Sequence, residues 1–120
     1  AELILVPFCT DDRQSYLRVR YCAQARTVEN LVYLALAGNV GNLPDVENMD
    51  IQYAQSVVLA PSDFPFARDG IQVESHPNTE GVITCDLNLD LLSRAVHDAT
   101  VTPRLDRRTD LFKLYVANRP

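Results

Sequence analysis

The first group in this chain able to do covalent chemistry is a cysteine that directly follows an apolar run, Leu3-Ile4-Leu5-Val6-Pro7-Phe8-Cys9. A thiol at the C-terminal end of a strand sits where α/β sheets open their pockets, and its thiolate is a nucleophile. Three readings of Cys9 stand side by side: a nucleophile, a pocket wall shared with Phe8 and Thr10, or plain packing. A second polar position, Asn39, closes a later apolar run at the same edge, where it serves either a substrate contact or a turn, which asparagine favours. Arg26 and Glu29 are spaced three apart in a helical stretch, which gives a local ion pair of roughly a few tenths of a kcal/mol.

The remaining candidates are weaker. Cys22 and Cys85 fall inside regular elements and are expected to be buried, structural thiols. With no C-x-x-C spacing and with His76 and His97 far apart, neither a metal site nor a disulfide framework is indicated. The acids Asp45, Glu47 and Asp50 could suggest a cation site, but they lack the calcium-loop spacing and read better as a solvated loop. His76 reads as a turn residue and His97 as an exposed helix residue. The one lysine, Lys113, lies in the charged tail.

These groups need a framework. Glu2 to Phe8 is apolar on both pleat faces, which predicts a strand covered on both sides, with Pro7 marking its exit. Thr10, Asp11 and Asp12 can cap a helix from about Gln14 to Asn30, with Leu17, Tyr21, Ala25 and Val28 as its core stripe. Leu31 to Asn39 predicts a second, central strand, and the strand–helix–strand unit implies a right-handed parallel crossover. Val40 to Tyr53 is too rich in turn formers for a regular element and predicts a long loop, a kind of segment that tends to be functional. Further strands are expected at Ala54 to Ala60 and near Ile71 to Glu74. Gly81 to Leu87 (GVITCDL) then predicts a hairpin partner for the latter, and Asn88 caps a helix over about Leu89 to Asp98 with Leu91, Leu92 and Ala95 inward. Residues 101–120 read as a charged tail with one apolar segment, Leu111 to Val116. The charges Arg104, Arg107 and Arg108 interleave with Asp106 and Asp110 there.

Composition bounds the function. In 120 residues with 47% apolar and 22% charged side chains the chain has ordinary globular values. Its net charge of −5, with scattered basic residues, argues against a nucleic-acid partner. The apolar runs are too short for a bilayer and no charged-then-apolar leader opens the chain, so a cytoplasmic protein without a membrane partner is expected. The start at Ala1, almost directly in a strand, reads as a cut inside a larger protein, or as methionine removal.

The order of LILVPF, QARTVEN, AGNVG, the Asp69-Gly70 turn, CDLNLDLLSRA and DRRTDLFKLY resembles the C-terminal half of the nitrilase or carbon–nitrogen hydrolase superfamily. Longer pieces, PFCTDDRQSYLRVRYCAQARTVEN, GNVGNLPDVENMDIQYAQS and SDFPFARDG, resemble the branch that accompanies or is fused to an acetyltransferase domain. The resemblance implies an α/β fold, the C-terminal part of a four-layer αββα sandwich, with a mixed sheet and helices on one face. It implies hydrolysis of a non-peptide carbon–nitrogen bond by a cysteine nucleophile, a glutamate base and a lysine. In the family those three lie upstream of the matching segment, so no catalytic residue, no metal and no cofactor is expected in this chain, and the isolated chain should be inactive.

What the resemblance leaves here is a substrate-pocket wall of Phe8, Cys9, Thr10 and Asn39. It also implies a supporting role for Arg26, Glu29 and Asn30, bracing the sheet edge beside the pocket, against the plainer ion pair. The expected partners are a small amide or nitrile, the missing N-terminal half of the domain, and further copies in a homo-oligomer, with the tail at a subunit contact. Half a sandwich would expose an apolar sheet face, which is an association site. The competing reading is a non-catalytic interaction or binding domain that retains the hydrolase scaffold. A third is an independent small α/β domain closed by its own chain.

Overall fold

The computed structural model describes residues 1–113. Strand β1 (Leu3–Phe8) leads into helix α1 (Arg13–Asn30), followed by β2 (Tyr33–Gly38), β3 (Val57–Leu59), β4 (Ile71–Glu74) and helix α2 (Leu89–Asp98). The four strands form one mixed sheet in the order β1-β2-β3-β4, with β1 parallel to β2 and the other two pairs antiparallel. The parallel crossover through α1 and the central place of β2 are as the sequence predicts. The described residues make an α/β fold with two helices.

Local chemistry sets the element ends. Asp12 caps α1 by accepting from the Ser15 amide at 2.5 Å, which holds its carboxyl below the usual carboxylate range. The helix ends where Leu31 adopts a left-handed conformation (φ 50°) and its amide bonds back to Thr27. Asn88 caps α2 in the same manner, accepting from the Leu91 amide at 2.9 Å.

The alternation of side chains along each strand separates two faces. One face, with Leu34, Leu36, Val57 and Leu59 all buried and Ile4, Val6, Phe8 and Ile71 packed on them, is covered by α1 through Val19 and Ala23. On the other, Tyr33 is covered at one end by Leu92 of α2 together with Phe66 and Leu87. The rest of that face is only partly covered: in the apolar cross-strand row Leu5, Ala35, Val58, Val73, Leu5 is 69% exposed and the other three are half-buried. Leu3, Pro7 and Ala37 extend it.

Several expectations are corrected. β1 is an edge strand covered on one side only, because α1 packs on Ile4, Val6 and Phe8 while nothing among the described residues reaches Leu5. The helices do not share one face, since Leu92 meets Tyr33 on the side away from α1. The core stripe of α1 is Tyr16, Ala23 and Thr27, not Leu17, Tyr21, Ala25 and Val28, of which Tyr21 is 62% exposed. Small Ala23 and Thr27 let the helix approach the sheet, and the Thr27 hydroxyl is satisfied by the Gln24 carbonyl at 2.8 Å. No hairpin forms at Gly81 to Leu87: residues 80–87 make no backbone–backbone hydrogen bond among the described residues, and Val82 is 90% exposed. Cys22 and Cys85 are exposed, not buried.

The tail lies back on the end of α1, where Arg107 donates to the Asn30 carboxamide at 3.0 Å and Arg108 pairs with Asp110 through two bonds. Of its apolar segment, residues 114–116 lie outside the described residues. No helix among the described residues is long and apolar enough to cross a membrane.

Candidate functional site

The C-terminal ends of β1 and β2 face the long loop, and two depressions open there on either side of Gln52. The first, of about 530 Å³, is lined by Cys9, Thr10 and Asp11 after β1, by Ser15 and Arg18 of α1, and by Asn48, Asp50, Ile51 and Gln52 of the loop. The second, of about 500 Å³, takes Gly38 and Asn39 from the end of β2, with Ser56, Ser75 and Glu80 opposite. Both volumes fall in the range of small-molecule sites.

An aromatic footing fixes the loop to the sheet. Tyr16, 1% exposed, stacks on Phe8 with centroids 6.1 Å apart and meets Tyr53 at 5.8 Å. Thr10 and Tyr53 exchange backbone and hydroxyl bonds: the Tyr53 amide donates to the Thr10 carbonyl at 2.7 Å, and the Thr10 hydroxyl donates to the Tyr53 carbonyl at 2.5 Å. Arg20 donates to the Tyr16 hydroxyl at 2.7 Å and pairs with Glu74 of β4. Burial works against the Arg20 charge, but these two partners prevail and raise its pKa above the usual guanidinium value.

Gln52 is the buried polar residue of the site, 3% exposed. Its backbone amide donates to Asn42 Oδ1 at 3.0 Å, and the Cys9 thiol donates to its Oε1 at 2.8 Å. Its Nε2 is buried with no hydrogen-bond partner among the described residues.

Of the residues expected to line a pocket, Cys9 and Thr10 share the first depression and Asn39 lines the second. Phe8 packs into the core against Tyr16. Arg26, Glu29 and Asn30 are together, but at the far end of α1: Arg26 pairs with Glu29, both more than half exposed, and the Asn30 carboxamide donates to the Arg26 carbonyl at 3.1 Å. Arg26 lies fourteen positions beyond the Asp12 cap, roughly 21 Å along the helix. Among the acids of the loop, Asp50 reaches the first depression. No group of three or more metal-ligating side chains comes together among the described residues. Sequence reasoning missed Gln52 and Arg18; neither belongs to a motif, and the signal available was the long loop itself, whose end turns inward at Gln52.

This arrangement offers a thiol held by a neutral carboxamide, an arginine, two carboxylates and a single unsatisfied donor. Such a set binds polar groups; it contains no base in contact with the thiol. The chain is similar to the probable hydrolase YhcX of Bacillus subtilis (strain 168), 57% identical over 114 residues, which is 95% of this chain. It spans 22% of the length of that curated relative. No family model and no solved structure matches the chain.

Proposed function

We propose that this chain is the C-terminal part of a carbon–nitrogen hydrolase domain within a longer protein that acts on a small amide or nitrile. The observation that carries the reading is the 57% identity, across nearly the whole chain, to a protein named a probable hydrolase. The partly covered apolar sheet face supports a four-layer αββα sandwich, because a second sheet about 10 Å away would cover exposed Leu5 and complete the burial of Ala35, Val58 and Val73. The β-rich but unpaired stretch 81–87 supports it too, since a strand from elsewhere in the protein would complete its ladder.

In this reading the glutamate, lysine and cysteine precede the chain. The thiolate attacks the amide carbon and the carbon–nitrogen bond breaks as the glutamate passes a proton to the leaving nitrogen, whereas a nitrile gives a thioimidate that adds one water and loses ammonia to reach the same thioester. The lysine stabilises the developing negative charge, and water then opens the thioester to release the acid and restore the thiol. This chain supplies a pocket wall through Cys9, Thr10 and Asn39. The protein is cytoplasmic and homo-oligomeric, with neither nucleic acid nor membrane as partner and no cofactor.

The test is release of ammonia or amine by the intact protein from a panel of small amides and nitriles, with mass spectrometry of the trapped acyl-enzyme. The expected adduct lies on a cysteine outside this chain, and Cys9→Ala still forms it. Absence of both turnover and adduct would favour the second reading, a binding domain that retains the hydrolase scaffold.

A further inference from the structure

Far from both depressions, the loop joining β3 to β4 meets helix α2 around an apolar hollow of about 320 Å³, with Phe64 and Pro65 on the loop side and Leu91 and Ala95 on the helix side. Phe64 is 80% exposed and lines a second hollow as well, of about 420 Å³, so its ring stands between the two. The loop that displays it is tied down. The Ser62 hydroxyl donates to the Arg68 carbonyl at 2.7 Å, the Phe66 amide donates to the Asp63 carbonyl at 2.8 Å, and the Asp63 carboxylate takes the amides of Phe64 and Val101. Val101, 54% exposed, is thereby held close to the same loop. A large ring fixed in water by its own loop has already lost the freedom that binding would cost, and aromatic side chains of this kind anchor interfaces.

The charges of the patch point to its occupant. Arg94 and Asp98 line the first hollow one helical turn apart, both exposed, and among the described residues neither has an ion-pair partner. With the basic residue first, their order along the helix is the weaker one for pairing with each other. The patch therefore carries a projecting ring and a hollow, and a positive and a negative group, which is the self-complementarity that a two-fold contact requires. We infer that it is an isologous interface between two copies of this protein, in which Phe64 of each copy fills the hollow beside α2 of the other and Arg94 of each meets Asp98 of the other. Two antiparallel α2 helices related by an axis level with Val96 set positions 94 and 98 opposite one another. An unrelated partner would have to supply the same ring and the same two charges, which a second copy already has. The inference gives a surface to the self-association proposed above and rests on that part of the reading alone, not on the hydrolytic chemistry.

The experiment is sedimentation velocity of the intact protein over a concentration series, for the native form, Phe64→Ala, Arg94→Glu, Asp98→Arg, and an equal mixture of the last two. The native protein should associate, and each single variant should raise the dissociation constant at least about tenfold, through a lost anchor or two like-charge contacts. All three positions are exposed, so far-ultraviolet circular dichroism should be unchanged. Mixing the two charge variants should restore association, because the all-acidic patch of one then faces the all-basic patch of the other; a folding defect cannot be rescued in this way. A native protein that stays monomeric would overturn both this interface and the self-association reading. Native association that none of the variants weakens, as when another part of the polypeptide covers the patch, would overturn the interface alone. Weakening that mixing does not rescue would also overturn it, because the two-fold pairing of Arg94 with Asp98 would then be wrong.

Discussion

The two faces of the sheet are built from the same strands and end differently. Under α1 the strands bury Leu34, Leu36, Val57 and Leu59 to 2% exposure or less, and the aromatic ring of Tyr16 seals the end next to the site. On the opposite face the Tyr33 end is buried by side chains from α2 and two loops, while in the aliphatic row beyond it Leu5 is exposed and Ala35, Val58 and Val73 are half-buried. The residue types on the two faces are alike, so the difference lies in what covers them. One layer is completed within the described residues, and the other is only partly covered by them.

The largest expected effect breaks this contrast at the closed face. Leu59→Ala, at a fully buried position, should cost about 2–5 kcal/mol by lost burial and a cavity, whereas Leu5→Ser on the open face should change the stability of the chain on its own by about 0.5 kcal/mol or less. Urea midpoints of the two variants measure this, and equal losses would mean that Leu5 is covered. Next comes Gly38→Ala, at the end of β2, where a Cβ would overlap the Ala54 side chain and the Phe8 ring. Ala54 is fully buried and Phe8 is stacked on Tyr16, so a loss of roughly 1–3 kcal/mol is expected, together with a changed near-ultraviolet signal from the tyrosines.

How far this was legible follows from the same contrast. The four-strand path, the parallel crossover and both helix caps were written in local signals: apolar runs of strand length, Asp12 and Asn88 before helices, and turn formers from Val40 onward. The choice of face was not. Helix α1 carries apolar residues on two sides, and periodicity alone favoured Leu17, Tyr21 and Val28, while packing selected Tyr16, Ala23 and Thr27 because close approach to a sheet rewards small residues and one long aromatic. The β propensity of Val82, Ile83 and Thr84 was legible too, but a strand needs a partner, and propensity says nothing of whether one is in reach. Cys9, Thr10 and Asn39 could be placed at a sheet edge from their positions after apolar runs. Gln52 could not, because its importance arises from burial and an unmet hydrogen bond, and neither has a local sequence signature.

The smallest effect sharpens the contrast where the open face is partly closed. Asp63 joins the loop that carries Phe66 to the segment after α2: its carboxylate accepts from the Thr100 hydroxyl and from the amides of Val101 at 3.2 Å and Phe64 at 2.7 Å. The Thr100 bond is the main cause of a carboxyl pKa below the ordinary 3.8. A carboxylate whose pKa is depressed by folding contributes stability that is full above its unfolded value and disappears as the pH falls through the folded one. Asp63→Asn should therefore lower stability near neutral pH by no more than about 1 kcal/mol, since the group is close to solvent, and the gap from the native chain should close as the pH falls below about 3.8. Urea denaturation at pH 6, 4 and 2.5 reads that gap. A gap of constant size would mean that geometry alone, and not the carboxylate charge, holds the loop and α2 together over Tyr33, and the covered end of this face would then owe nothing to electrostatics.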